Sequence, residues 1–271
     1  MTPTKRIGII GAGKMGEALI AGLLKSGLAT PNNLCASDIR PERCTHISKT
    51  HGIPCHLDNK MVVESSDIVI LSVLPRDMKT ALEGIREALT PAHLLISIAA
   101  GVTTPFIQRT LQRDIPVVRA MPNNPCMIGE GMIALAPTPN VTEENLQTAK
   151  AIFTSIGRVV VTEERHLDAI TALSGSGPAY IYLVIEAMAD AGLRVGLPKE
   201  LGVLLSAQTA LGSARMVLET GQHPARLRDM VTTPGGTTIE GVLELERAGV
   251  RSAFMSAIER AAKRARELSV G

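Results

Sequence analysis

Short, β-branched apolar runs alternate with amphipathic stretches through the first part of the chain. The runs are Ile7–Ile10, Leu34–Ser37, Ile53–Cys55, Asp67–Val73, Leu94–Ile98 and Pro116–Ala120. Most are apolar almost throughout rather than at every second position, which is the pattern of strands buried on both faces of a parallel sheet. Between them the spacing changes to the helical period. Met15, Leu19 and Leu23 share a face with Ile20 and Leu24, and Gly27 stands where a C-terminal cap falls. Shorter helices are predicted over Asn59–Val63, from Leu74-Pro75 through Leu89, from Thr104, and over Glu143–Phe153. Strand–helix alternation of this kind predicts a doubly wound α/β sheet of Rossmann type with right-handed crossovers. Met132–Ala136 and Gly157–Val161 read as closing strands, whose order and direction the pattern leaves open.

From about Arg165 the strand signal stops. Helices are predicted over 177–191 with Gly192 as a stop, 199–219 between Pro198 and Gly221, 225–230, 238–247 and 251–268. The expected division is therefore an α/β domain over 1–164 and an all-helical domain over 165–271. The helix at 199–219 is apolar almost all round, with Gly202, Ala207, Ala210, Gly212 and Ala214 interleaved. Such a helix has to be covered on every side, and so small a helical domain has few helices to do it with. A second copy of the chain is the expected cover. The apolar stretch at 201–218 is interrupted by Ser206, Gln208, Thr209 and Arg215, so no membrane span is expected.

Composition adds limits. Hydrophobic residues make up 45% of the chain and aromatic residues 2%, so the core is aliphatic. A formal net charge of +2 gives no electrostatic ground for a nucleic acid or an anionic membrane as partner. Cys35, Cys44, Cys55 and Cys126 form no CxxC pair and no metal-ligand spacing, and read as free thiols of a reducing compartment. Met1–Arg6 leads straight into the first strand, leaving no room for a signal peptide, and the expected location is the cytoplasm.

The candidate chemistry begins directly after the first strand. Gly11-Ala12-Gly13-Lys14-Met15-Gly16 is a G-x-G-x-x-G turn that opens a helix. In that context the glycines allow a tight turn, close approach of a diphosphate and close helix–strand packing. The second strand ends in Ser37-Asp38-Ile39-Arg40, at the distance where the adenosine ribose is read. An acidic residue suits the 2′-hydroxyl of NAD(H), whereas Arg40 and the Ser37 hydroxyl suit the 2′-phosphate of NADP(H). Arg40 can offer a bidentate phosphate contact, so NADP(H) is favoured over NAD(H). Ligands of such sheets lie at the carboxyl ends of the strands, which points to Ser72-Val73-Leu74-Pro75, Ala99-Ala100 and Met121-Pro122-Asn123. Two small-residue loops in the helical part open helices: Ser174-Gly175-Ser176-Gly177-Pro178, and Thr233-Pro234-Gly235-Gly236-Thr237-Thr238. Helix starts of this kind offer backbone N–H groups to an anion such as a carboxylate without a charged side chain.

These motifs together identify a resemblance to the pyrroline-5-carboxylate reductases over essentially the whole chain. It rests on Gly11–Gly16, the Met121-Pro122-Asn123 turn, Leu173–Tyr180 and the loop at 233–238. The resemblance implies a Rossmann domain followed by a helical dimerisation domain, with a decamer of five dimers as a larger assembly of some members. It also implies that Asn59 and Ser72–Pro75 contact NAD(P)H, that the 233–238 loop holds the carboxylate of a small imino acid, and that Thr238 lies near the imine nitrogen. Met121 and Ser176 are assigned to the substrate, and Ala99, Ala100 and Asn123 to the cofactor; no metal is expected. Three positions depart from the family pattern. Leu74 stands where many members have lysine, Thr233 where serine is usual, and Asn124 where threonine is frequent.

The chemistry implied is hydride reduction of Δ1-pyrroline-5-carboxylate to L-proline. A cyclic imine arrives protonated, which fits the lack of Lys, His or Asp inside either loop. His166 and His223 read as surface or capping residues. A β-hydroxyacid dehydrogenase resembles the same layout but places a catalytic lysine where this chain has Ile181. A dinucleotide-sensing regulator would need a DNA-binding segment, and only the solvated 260–266 helix face is basic.

Overall fold

The structure is a computed structural model that describes residues 5–269. It divides into two compact units, one formed by the chain up to Gly175 together with the chain from Ala261 on, the other by Ser176–Arg260.

The first unit is built on an eight-stranded sheet. Its strands are β1 (Ile7–Ile10), β2 (Leu34–Ser37), β3 (Cys55–His56), β4 (Ile68–Leu71), β5 (Leu94–Ser97), β6 (Val117–Met121), β7 (Gly131–Pro137) and β8 (Gly157–Val161). Their order is β3-β2-β1-β4-β5-β6-β7-β8. Every neighbouring pair is parallel except β6 and β7. That reversal has a local cause: only residues 122–130 link β6 to β7, too short a path for a crossover back to the start of the sheet. β8 then returns parallel to β7 through a helical crossover.

Helices α1 (Lys14–Lys25), α2 (Pro41–His51), α3 (Asn59–Glu64), α4 (Met78–Ile85), α5 (Thr104–Leu111), α6 (Glu143–Thr154) and α7 (Leu167–Ile170) belong to this unit. One core layer joins Ile9, Leu19, Leu23, Ile70 and Phe153. The other joins Ile10, Leu71, Leu82, Leu95 and Ile107 on the opposite face. Both are aliphatic, as the composition requires. The third strand falls on Cys55–His56 rather than 53–55, because Ile53 is drawn into the core just before it.

The first unit also runs past the expected boundary at 164. Leu167 is fully buried against Ala134 and Ala136 of β7, which ties α7 to the sheet. Ser269 Oγ donates to Asp168 Oδ1 at 3.1 Å, so the end of the last helix and Ser269 belong here too.

In the second unit lie α8 (Gly177–Arg194), α9 (Lys199–Thr220), α10 (Pro224–Met230), α11 (Thr237–Arg247) and the start of α12 (Val250–Leu268). Gly192 does not stop α8. It is a packing glycine: a Cβ there would lie 3.8 Å from Gly202 Cα, and one on Gly202 only 3.0 Å from the Ala189 carbonyl. Gly202 of α9 thus packs on α8, and Gly202 and Ser206 are the only buried positions of α9. Leu204, Leu205, Leu211 and Leu218 stay exposed. Despite its polar interruptions, α9 is by length and composition alone long and apolar enough to cross a membrane, a measure that core helices also meet.

Candidate active site

The carboxyl ends of the strands form one continuous edge. Register pairs Ser37 with Ile10, Ile10 with Leu71, Leu71 with Ser97 and Ser97 with Arg119. The chain from β1 first builds outward to β2 and β3, then crosses to β4 on the other side. β1 and β4 therefore flank the switch point, where a doubly wound sheet opens a ligand crevice. Gly11 and Ser72 sit side by side there.

Each glycine of the turn has a separate reason. Gly11 has φ +93°, and a Cβ on it would lie 2.6 Å from the Ser72 carbonyl. A Cβ on Gly16 would lie 2.2 Å from the Gly11 carbonyl, so α1 can approach the turn only without one. Gly13 is different: a side chain there meets nothing within 4 Å. It is the residue before α1 and supplies no side-chain cap, which leaves the first N–H groups of α1 available to an anion. Ala12 is buried, so it contributes backbone only, while Lys14 is exposed at the helix start and Met15 packs on the core. This cradle fits a dinucleotide diphosphate.

At the adenosine end Asp38 and Arg40 form a two-point ion pair, Nε to Oδ1 at 2.9 Å and Nη2 to Oδ2 at 3.2 Å. The Arg40 backbone N–H also donates to Oδ1 at 3.1 Å. Burial pushes the Asp38 carboxyl up, but the Arg40 side chain and backbone N–H outweigh it and hold it below its usual range. The carboxylate is thus ionised and already occupied. Arg40 remains 54% exposed at its side chain, with guanidinium N–H groups to spare. Ser37 does not join it: the residue is fully buried, and its hydroxyl donates to Asn59 Oδ1 at 2.8 Å. Instead of facing a phosphate as expected, the Ser37 hydroxyl orients Asn59, at the start of α3. Arg40→Ala is expected to lower the preference for NADPH over NADH in kcat/KM by about 10- to 100-fold, the worth of a charge-assisted phosphate contact. A steady-state comparison of the two cofactors reads this out, and an unchanged ratio would exclude Arg40.

Farther along the edge, Ser72 and Val73 are half-buried, and Leu74 and Pro75 are exposed ahead of α4. Ala99 is packed into the core with Val102, leaving Ala100 as the exposed member of that pair. Asn123 is committed within the protein. Its Nδ2 donates to the Ser174 carbonyl at 3.1 Å, and its Oδ1 accepts from the Met132 backbone at 2.9 Å. It latches a π-helical turn, Thr171–Gly175, that no periodicity announced. Met121 touches the same turn, since a Cβ on Gly175 would lie 2.8 Å from its Cε. Helical turns of this kind recur at functional sites.

Sequence reasoning also missed Arg43, Arg119 and Glu164. Arg119 of β6, 3% exposed, donates from Nη1 to Glu164 Oε1 at 3.0 Å. Glu164 in turn accepts from the Thr104 backbone at 2.8 Å and from its hydroxyl, closing the start of α5. An arginine in an apolar strand run was the available signal.

In the second unit, Ser176 precedes α8 without capping it, and Pro178 lies in the first turn. Thr233-Pro234-Gly235-Gly236 closes a β-turn, with the Gly236 N–H donating to the Thr233 carbonyl at 3.1 Å. Gly235 has φ +66°, as the residue after proline in a type II turn requires. α11 follows with no side-chain cap, so the N–H groups of its first turn, Thr237 and Thr238 among them, are unspent. Thr238 is half-buried and Thr233 exposed. His223 caps α10 by accepting the Ala225 N–H at 3.2 Å, and His166 contacts Thr162 at 3.0 Å.

Comparison with known proteins bears on both units. Residues 164–268 match the family described as pyrroline-5-carboxylate reductase dimerisation, and residues 6–101 the family described as NADP oxidoreductase, coenzyme F420-dependent. A pyrroline-5-carboxylate reductase of Methanosarcina acetivorans is 46% identical, with 97% of this chain and 98% of that protein covered. The solved pyrroline-5-carboxylate reductase of Coxiella burnetii is 38% identical, with a TM-score of 0.94 over 99% of this chain and 100% of that one. A Plasmodium falciparum pyrroline carboxylate reductase, solved with NADP bound, is 31% identical, with a TM-score of 0.88 and 98% of each chain covered. The matches run over nearly the whole of this chain, and the chain belongs to the pyrroline-5-carboxylate reductase family.

Proposed function

We propose that the protein reduces Δ1-pyrroline-5-carboxylate to L-proline, the last step of proline biosynthesis, with NADP(H) favoured over NAD(H). The observation that carries this reading is the loop before α11: an uncapped helix start, rich in hydroxyl and N–H donors, with no ionisable side chain inside it. That composition suits a substrate that brings its own positive charge and needs only its carboxylate held.

NADPH, when bound, supplies the hydride that reduces the imine carbon. The Gly13 and Lys14 N–H groups hold the diphosphate, Arg40 the 2′-phosphate, and Asn59, Ser72–Pro75 and Ala100 line the path toward the nicotinamide. The backbone of Gly235–Thr237 and the Thr233 hydroxyl grip the carboxylate, with Met121 and Ser176 beside the ring. Thr238 accepts a hydrogen bond from the protonated nitrogen through its hydroxyl oxygen and orients the imine; no strong acid is needed, because the imine is already protonated. Thr238→Ala is expected to lower kcat by about 10- to 100-fold with a smaller change in KM, at or below the low end of general acid–base effects. Unchanged turnover would remove Thr238 from the reaction.

Self-association is assigned to the exposed apolar faces of α8 and α9, forming a homodimer, with a decamer of five dimers as the larger assembly. The four free cysteines accord with a cytoplasmic location. The hydroxyacid dehydrogenase reading stays behind, because Ile181 stands where its catalytic lysine would be. The test is NADPH consumption with pyrroline-5-carboxylate, set against NADP+ reduction with 3-hydroxy acids. Turnover with the imine alone is expected; turnover with the hydroxy acids alone would overturn the assignment.

A further inference from the structure

The glycine turn is held from behind by a side chain of α2. Arg43, in the first turn of that helix, donates Nε–H to the Ala12 carbonyl at 2.5 Å, and its Nη2 lies 3.5 Å from the Gly13 carbonyl. The same Nη2 donates to Glu17 Oε2, in the first turn of α1. The other carboxylate oxygen of Glu17 is shared by His46 Nε2 at 2.9 Å and His51 Nε2 at 3.2 Å. Burial works to raise the Glu17 carboxyl, but the hydrogen bonds from Arg43, His46 and His51 outweigh it and bring it down to about 2. The anchor for Arg43 is therefore a fixed anion at neutral pH.

The consequence follows from the planarity of the peptide bond. In a trans peptide the C=O and the N–H of the next residue point in opposite directions. Pinning the Ala12 carbonyl toward α2 therefore turns the Gly13 N–H away from α2. In the same way, the Gly13 carbonyl, which also accepts from the Glu17 N–H at 2.8 Å, fixes the direction of the Lys14 N–H. These two N–H groups belong to the stretch where the open position at Gly13 admits a diphosphate.

We propose that Arg43 is a positioning residue of the dinucleotide site. It aims the Gly13 and Lys14 N–H groups at the diphosphate through the Ala12 and Gly13 carbonyls, and Glu17 holds it in place. The inference rests on the dinucleotide reading of the turn. It has a distinct signature, because the diphosphate is common to both nicotinamide cofactors whereas the 2′-phosphate belongs to one.

Calorimetric titration of NADP+ and of NAD+ into the wild type, R43Q, R43K and R40A separates the two roles, alongside thermal unfolding of each unliganded protein. R43Q is expected to weaken NADP+ and NAD+ by the same factor, about tenfold, with the unliganded melting temperature within a few degrees of wild type. R43K, whose single ammonium replaces a planar fork, is expected to recover part of the loss for both. R40A is expected to weaken NADP+ alone. Unchanged affinities in R43Q, or a loss confined to NADP+, would overturn the proposal. If R43Q does not fold, R43K decides. A parallel loss of both affinities in a protein of wild-type melting temperature supports the positioning role, and wild-type affinities contradict it. A wild-type protein that binds neither dinucleotide would overturn the underlying reading, and this one with it.

Discussion

Gly13→Ala is expected to leave the fold intact and to weaken dinucleotide binding by at least about 100-fold, the loss of about 3 kcal/mol. A methyl group at this position meets no atom of the protein within 4 Å, and the backbone there, φ −66° and ψ −167°, suits any residue. Folding therefore has no reason to suffer; restricting the unfolded chain tends, if anything, to stabilise it slightly. The space the methyl enters is the space the diphosphate needs. Gly16→Ala, three residues on, is expected to behave in the opposite way. Its Cβ would lie 2.2 Å from the Gly11 carbonyl, a backbone atom in a turn already committed to φ +93°. Relief requires moving the turn or α1, at about 3 kcal/mol of stability, the upper end of overpacking. Calorimetric titration and thermal unfolding of both variants make the comparison. Equal loss of stability in the two would contradict the division of roles among the glycines.

Glu164→Ala is expected to destabilise the protein by about 3 kcal/mol, because it strands a buried guanidinium. Arg119 has 4% of its side chain exposed, and its Nη2 has no hydrogen-bond partner among the described residues. Glu164 is its ion-pair partner and also receives the backbone and hydroxyl of Thr104. Because 29% of the Glu164 side chain meets solvent, the lower end of the range for breaking a buried pair applies. Arg119→Met is expected to be milder than Glu164→Ala, since it removes the buried charge together with its need for a partner. Urea unfolding distinguishes the two. A loss below about 1 kcal/mol in Glu164→Ala would mean that the pair behaves as a surface ion pair.

The sequence carried the parts of this protein that depend on local pattern. Parallel strands buried on both faces appear as apolar runs, and β1, β2 and β4 to β6 were legible for that reason; the start of β3, a half-buried pair of residues, was placed two residues early. The glycine turn was legible because strand, turn and helix meet within a few residues. Long-range contacts were not. The reversal at β7 follows from the short link after Met121, a constraint of geometry rather than of residue type. Ser37 read as a surface hydroxyl because its burial and its bond to Asn59 depend on where β2 and α3 meet. Gly192 read as a helix stop, and only the crossing of α8 and α9 shows that it makes room for Gly202. Arg43 and Arg119 were passed over for the same reason, since their partners lie far away in sequence: Ala12 and Glu17 for one, Glu164 for the other. In the helical unit the loop before α11 was legible as a helix start, whereas Ser174 and Gly175 before α8 belong to the π-helical turn of the first unit; the resemblance to a known family supplied the roles expected of both stretches.

The central claim is that this protein passes a hydride to the imine carbon of pyrroline-5-carboxylate. It is tested most directly by incubating the protein with that imine and NADPH deuterated at the transferable C4 position, followed by mass spectrometry of the product. Proline carrying a single deuterium at C5 is the predicted result. Unlabelled proline, or consumption of the cofactor without proline, would contradict it.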